Sequence, residues 1–255
     1  MSTPINLATF DASKVTFSEV KKLEKGGSIN ILYEGKPLVI KSRALRVPFN
    51  VNQGFQGKPK KGEAPAEPKP DDKFELQLDL PDSDENKPMR AVLDAIDKAF
   101  MVHLTKNATT IYGETGLGLK AKALADSLKA VAAGTSKTYP LIKASDNAAY
   151  PDKFRLKWAP NSPVQIISKK NTPLAPKDIV RGSSVTAIFK IRGYFISEVM
   201  VSAQVDPIAL CVAAGATIDA SALFADDLDE DAEVPAASSE GSPNKRQRLE
   251  DPVDV

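Results

Sequence analysis

The chain has 255 residues, 42% hydrophobic and 26% charged, which is ordinary for a protein with a real core in one large domain or two small ones. No apolar run nears bilayer-spanning length, the N-terminal MSTPINLATFDASK lacks the charged-then-apolar order of a signal peptide, and the single Cys211 has no partner for an internal disulfide; an intracellular, non-secreted, non-membrane protein is expected. The formal charge of +1 hides a division: from Leu223 onward stand ten acids and three bases, leaving 23 acids and 31 bases in the body, so +8 faces a tail of −7.

Residues 1–25 read as a mixed N-terminal extension, with Ser18–Lys25 a short helix stopped by Gly26-Gly27. Ser28–Glu34 and Lys36–Lys41 form a hairpin around Glu34-Gly35, and another extended segment runs from Ala44 to Val51, where Pro48 argues for an edge or a bulge. Asn52–Asp72, rich in Pro, Gly and Lys, cannot pack and is expected to be a long flexible loop, with Lys58, Lys60 and Lys61 as a mobile basic flap. Phe74–Leu80 alternates strictly, as a half-buried strand does.

A helical insertion follows over residues 87–134. Pro88 suits a first turn, and Val92, Leu93, Ile96, Phe100 and Leu104 recur at helical spacing. A second helix carries Leu117, Ala121, Leu124, Leu128 and Val131 on one face and ends at Gly134. Strands return at Thr138–Lys143, Asp152–Trp158, Val164–Lys169, Ser184–Ile191 and Tyr194–Val205, with Gly193 marking a tight turn. Strands, then helices, then strands imply α+β, an antiparallel β-barrel decorated with two helices. The domain spans 26–222, and residues 223–255 form a disordered acidic tail.

With one His and one Cys, the usual zinc sites are excluded, and a Ser-His-Asp or Cys-His arrangement would have to use His103. That residue sits in the amphipathic helical pattern and reads as structural; Cys211, in an apolar run, reads as a small buried hydrophobe. No body segment clusters acids as a metal-dependent nuclease requires, so neither catalysis nor a cofactor is expected.

Three segments interleave bases with aromatics. Lys41, Arg43 and Arg46 share a face near Phe49; Lys153, Arg155 and Lys157 alternate with Phe154, Leu156 and Trp158; Lys190 and Arg192 stand beside Phe189, Ile191 and Tyr194. Rows of cations on a strand suit phosphate tracking, and Phe49, Trp158 and Tyr194 are the candidate base stackers, with Trp158 equally placed to be core. The acidic tail reads as a competitor for the same surface and as a recruiter of other proteins, and Pro243–Arg248 is similar to a short nuclear-import signal.

Gly26-Gly-Ser-Ile-x-x-Leu-Tyr-x-Gly-x-Pro-Leu, Ser42-x-x-Leu-Arg-x-Pro-Phe, Lys73-Phe-x-Leu-x-Leu and Gly182-Ser-x-Val-x-Ala-Ile…Gly-Tyr-Phe, spread over residues 26–206, resemble the single-stranded DNA-binding proteins of nucleocytoplasmic large DNA viruses. The resemblance implies an OB-like barrel that coats single strands during replication, recombination or repair. A host-nuclear or cytoplasmic viral replication-compartment location and replication proteins as tail partners are expected, with homo-oligomerisation left open. The chain departs from it at Ala44 and Ala203, where family members carry tryptophan, and at Tyr194, which replaces a third. Single-stranded DNA, or RNA, is the expected partner; the alternative is a non-catalytic structural or assembly protein of a virion or replication compartment.

Overall fold

The computed structural model describes residues 3–24, 26–54, 68–115, 137–197 and 200–214. They fall within one unit, Met1–Ala216; the other, Thr217–Val255, lies outside the described residues, as do Lys58, Lys60, Lys61 and the segment assigned to the second helix, Leu117–Val131.

The N-terminal extension is part of the sheet. β1 (Val15–Phe17) and β2 (Lys21–Leu23) both pair antiparallel with β3 (Gly26–Tyr33). The expected helix at Ser18–Lys25 is therefore absent from the described part of that stretch. Lys21–Leu23 instead takes up the ladder positions that Gly26, Gly27 and Ser28 leave open. Glu34 (φ 51°) and Gly35 (φ 73°) turn β3 into β4 (Lys36–Arg46), the paired positive dihedrals of a two-residue hairpin loop. β4 absorbs the start of the Ala44–Val51 segment, and beyond it Val47 and Val51 donate hydrogen bonds to the carbonyls of Ser183 and Ile179.

β5 (Asn52–Gln53) pairs with β6 (Phe74–Leu80), so the rims of the basic loop are ordered into the fold. α1 (Lys87–Lys106) places Val92, Leu93, Ile96, Phe100 and Leu104 in the core, as their spacing predicts, and is continued by α2 (Ala108–Thr115). His103 packs its ring against Phe17 at 4.6 Å, a structural role; burial lowers its pKa. The strand expected at Thr138–Lys143 divides into β7 (Lys137–Tyr139) and β8 (Ile142–Lys143), which join different sheets. β9 (Asp152–Trp158) and β10 (Gln165–Ser168) follow, then two long strands, β11 (Ser184–Ile196) and β12 (Met200–Ala213).

Among the described residues the strands form an eight-stranded sheet, β1-β3-β4-β11-β12-β10 with β2 on β3 and β7 on β12, and a four-stranded sheet, β5-β6-β9-β8. Among the described residues the fold is mixed and sheet-dominated with two α-helices. The antiparallel expectation needs amendment, because β7 and β10 both pair parallel with β12.

Gly193 makes no turn; it is the corner of a single strand. Before it, β11 pairs with β4, and from it onward β11 pairs with β3. Its φ is 151°, and a Cβ there would lie 1.8 Å from the Ile29 carbonyl oxygen, so glycine is needed both for the bend and for the close approach. Cys211 is half-buried rather than buried, facing Thr186 across the β11–β12 ladder.

Candidate nucleic-acid interface

Alternation along β6 and β9 sorts their side chains. Leu76, Leu78 and Leu80 of β6 and Phe154, Leu156 and Trp158 of β9 turn into the core. On the other face, Glu75 stands opposite Lys157, Gln77 opposite Arg155 and Asp79 opposite Lys153. The expected row of cations therefore exists, and each cation has a carboxylate within reach. Lys157 bonds Glu75 at 2.8 Å, Arg155 lies 3.8 Å from the same side chain, and Lys153 grips the buried Asp79. Burial alone would raise the Glu75 carboxyl, but the Lys157 bond and the Lys157 and Arg155 charges outweigh it and hold the pKa below the ordinary value.

The other two segments meet this face at opposite ends. At one end Arg46 lies 3.9 Å from Asp79, and the Lys153 ammonium sits 6.0 Å from the ring centroid of Phe49. Phe49 is 54% exposed, so much of its side chain is accessible to a ligand. Val180 and Arg181, also exposed, are held beside this corner because Arg181 donates its backbone N–H to Asn50 Oδ1. At the other end, Arg155, Lys157 and Arg192 line a depression of about 100 Å³ together with Lys73 and Asp206. It adjoins a cleft of about 390 Å³ that Lys73, Lys157, Lys190, Arg192 and Asp206 also line. Lys190 and Arg192 approach Asp206 at 3.9 and 3.5 Å, and Arg192 also donates to Gln204. Five cations thus stand around these two depressions, against the carboxylates of Glu75 and Asp206.

β-Bulges aim several of these side chains. In the β4–β11 ladder Ser42 and Arg43 together oppose Ala187. The Ser42 hydroxyl accepts the Ala187 N–H at 2.9 Å in place of a ladder bond, and Lys41, Arg43 and Arg46 all emerge exposed. In the β11–β12 ladder Arg192 is the extra residue of one bulge and Ile208 of another. Lys41 and Arg43 have no ion-pair partner among the described residues, nor does Lys73.

Two of the candidate stackers are largely buried. Tyr194 is 2% exposed, stacked on Phe100 at 3.7 Å, with its hydroxyl donating to Asp97 of α1; no base can reach its face. Trp158 is 6% exposed and packs against Phe74, and it also lines the larger cleft. Trp158 alternates into the core because Lys157 beside it takes the polar face, whereas Tyr194 shares the parity of Lys190 and Arg192 and enters the core only because the bulge at Arg192 shifts the alternation. Sequence reasoning missed Lys73 as a site residue; its signal is its place as the first cation before the alternating strand.

Asp97 also accepts the Leu141 N–H at 3.0 Å, tying α1 to β11 and to the chain ahead of β8. Burial pushes its pKa up to about 6 in spite of those two bonds, with Asp94 adding to the rise. Burial, and then the Asp97 charge, raise the Tyr194 phenol well above its ordinary value.

No protein-family model and no curated protein matches the chain. Solved structures that resemble it include gp2.5, a single-stranded DNA-binding protein encoded by bacteriophage T7, at 13% identity and a TM-score of 0.40, covering 78% of this chain and all of that one. The single-stranded DNA-binding protein from bacteriophage Enc34 in complex with ssDNA gives 14% and 0.38 over 79% of this chain and 97% of that one. The same phage protein in a separate structure gives 13% and 0.40 over 84% and 99%. These are distant likenesses to phage proteins, where the sequence resemblance pointed to large DNA viruses, and the functional reading rests on this chain's own residues.

Proposed function

We propose that the chain is a non-catalytic, sequence-independent single-stranded DNA-binding protein that protects and organises strands during viral replication, recombination or repair. The observation that carries this is the convergence of Lys73, Arg155, Lys157, Lys190 and Arg192, from three separated stretches of sequence, around one pair of adjoining depressions. Arg46 and Lys153 extend the cationic track toward Phe49, the exposed aromatic at its far end. Phosphates follow the cations, and a base stacks on Phe49. The tail beyond Leu223, with its ten acids, competes for this track and recruits replication proteins when a strand displaces it. The protein acts in a host nucleus or a cytoplasmic viral replication compartment, and it self-associates along the strand.

The test is a titration of labelled oligo-dT at a series of salt concentrations, with the full chain and with a chain ending at Ser221. Single-strand binding loses about 0.7 in log K per log salt for each phosphate neutralised. With Glu75, Asp79 and Asp206 offsetting the seven cations of the track, and Lys41 and Arg43, unpaired among the described residues, added, a slope of about −4 is expected, and removal of the tail should tighten binding. Affinity no better than for duplex DNA, unaltered by truncation, would overturn the reading.

A further inference from the structure

The larger cleft has a mixed lining: Lys73, Lys157, Lys190 and Arg192 supply charge, while Pro163, Val164, Pro207 and Ile208 supply aliphatic surface beside Trp158. The backbone explains why apolar groups line a charged cleft. β7 accompanies β12 only at Met200–Ser202 and β10 only at Ala209–Val212, so residues 203–208 have no strand beside them on that flank among the described residues. Pro207, which lacks an N–H, is tolerated on such an unaccompanied stretch. The bulge next to it makes Ile208 the extra residue, and its side chain emerges 38% exposed. A second bulge of the same ladder brings out Arg192, which faces the same space. One strand pair has thus spent its two irregularities on one cation and one branched aliphatic at a single cleft.

We infer that this cleft seats one nucleotide of the bound strand, its base lying on Pro163 and Ile208 and its phosphate held between Lys73, Lys157 and Arg192. The inference rests on the single-strand reading and adds to it a base-contacting seat at the opposite end of the track from Phe49. The volume, about 390 Å³, lies in the range of roughly 300–1,000 Å³ typical of small-ligand sites. A base is the part of a strand that buries apolar surface, and an aliphatic wall accepts its face through dispersion without reading its edge. All four bases are therefore accepted. The surplus of cations in the cleft selects the phosphate, which an apolar peptide or lipid chain lacks.

The experiment measures binding of the full chain to a dT 12-mer and to an abasic deoxyribose-phosphate 12-mer, for the native protein, Ile208→Ser and Pro163→Ser. Thermal unfolding serves as the check on folding, and Pro163, exposed and outside any strand, is the safeguard should Ile208→Ser fail to fold. The native chain should prefer dT by about tenfold. Each variant should lose about half of that preference on a logarithmic scale, the remainder belonging to Phe49, while its affinity for the abasic strand stays within about twofold. A native preference near one, or one that both folded variants retain, would overturn the nucleotide seat while leaving strand binding intact. Failure of the native chain to bind either oligomer would instead remove the single-strand reading beneath it.

Discussion

Replacing Asp97 by asparagine separates the cost of the buried carboxylate from the bonds it makes. Asp97 ionises near 3.8 in the unfolded chain and near 6 in the folded one, because burial disfavours its charge. Well below pH 3.8 the group is protonated in both states and costs nothing. As pH rises, the unfolded chain ionises first, so folding stability is lost progressively until the folded group ionises near pH 6, and the loss is constant above that. The gap of a little over two pH units, at about 1.4 kcal/mol each, amounts to about 3 kcal/mol. The substituted amide does not titrate, yet its carbonyl can still accept from Tyr194 or from the Leu141 N–H. Glu75 and Asp152, whose pKa values are lowered, act in the opposite sense, but they do so in both proteins and cancel in the difference. Urea unfolding of both proteins at intervals from pH 3.5 to 7.5 is the assay. The stability of Asp97→Asn relative to the native chain should rise by about 3 kcal/mol across that interval. A difference that stays flat, or runs the other way, would refute the assignment of a buried, reluctant carboxylate.

Three further outcomes follow from named interactions. Ser42→Ala leaves the buried Ala187 N–H without its acceptor and should cost about 1–3 kcal/mol in denaturant unfolding, with a cavity-free Ser42→Thr variant losing less. Gly193→Ala drives a methyl into the Ile29 carbonyl at 1.8 Å and should cost more than the roughly 1 kcal/mol of an ordinary strand substitution, read as a drop in melting temperature. Neutralising the exposed Lys41 and Arg43 to Gln should change stability by less than about 0.5 kcal/mol, yet flatten the salt dependence of oligo-dT binding by about 0.7 for each phosphate that is no longer neutralised.

Periodicity carried the regular elements. Phe74–Leu80 and Asp152–Trp158 run where alternation places them, and the apolar stripe of α1 is buried as its spacing demands. Side-chain period is a local property, and a sequence displays it directly. The features that shape the site are not local. Whether Gly193 turns the chain or bends one strand depends on Ile29, far away in sequence, whose carbonyl needs the space. That Arg192 and Ile208 are bulge residues is a statement about register between β11 and β12, which neither strand encodes alone. The acids of β6 were visible in FELQLDL, but their pairing with Lys153, Arg155 and Lys157 appears only once β6 and β9 are aligned. Tyr194 is lost as a stacker for the same reason, since the bulge at Arg192 turns it inward, and Trp158 takes the core alternative that the alternation of β9 offers.

The bond between Ser42 and Ala187 joins residues 145 apart, and it has a bearing on how the chain is made. At about 5–20 residues per second, a ribosome takes on the order of 7–30 seconds between delivering β4 and delivering its partner in β11. For that interval the β3–β4 hairpin has leading-edge backbone groups exposed and no strand to receive them. Lys36, Lys41, Arg43 and Arg46 are all exposed along the waiting strand, and charge on a bare edge is what discourages two nascent hairpins from zipping together. Three of these four, Lys41, Arg43 and Arg46, are side chains proposed to face a polyanion, and on the polysome they also guard the half-built sheet against its neighbours. Neutralising all four should therefore show first as lost soluble yield during synthesis, before any effect on the finished molecule.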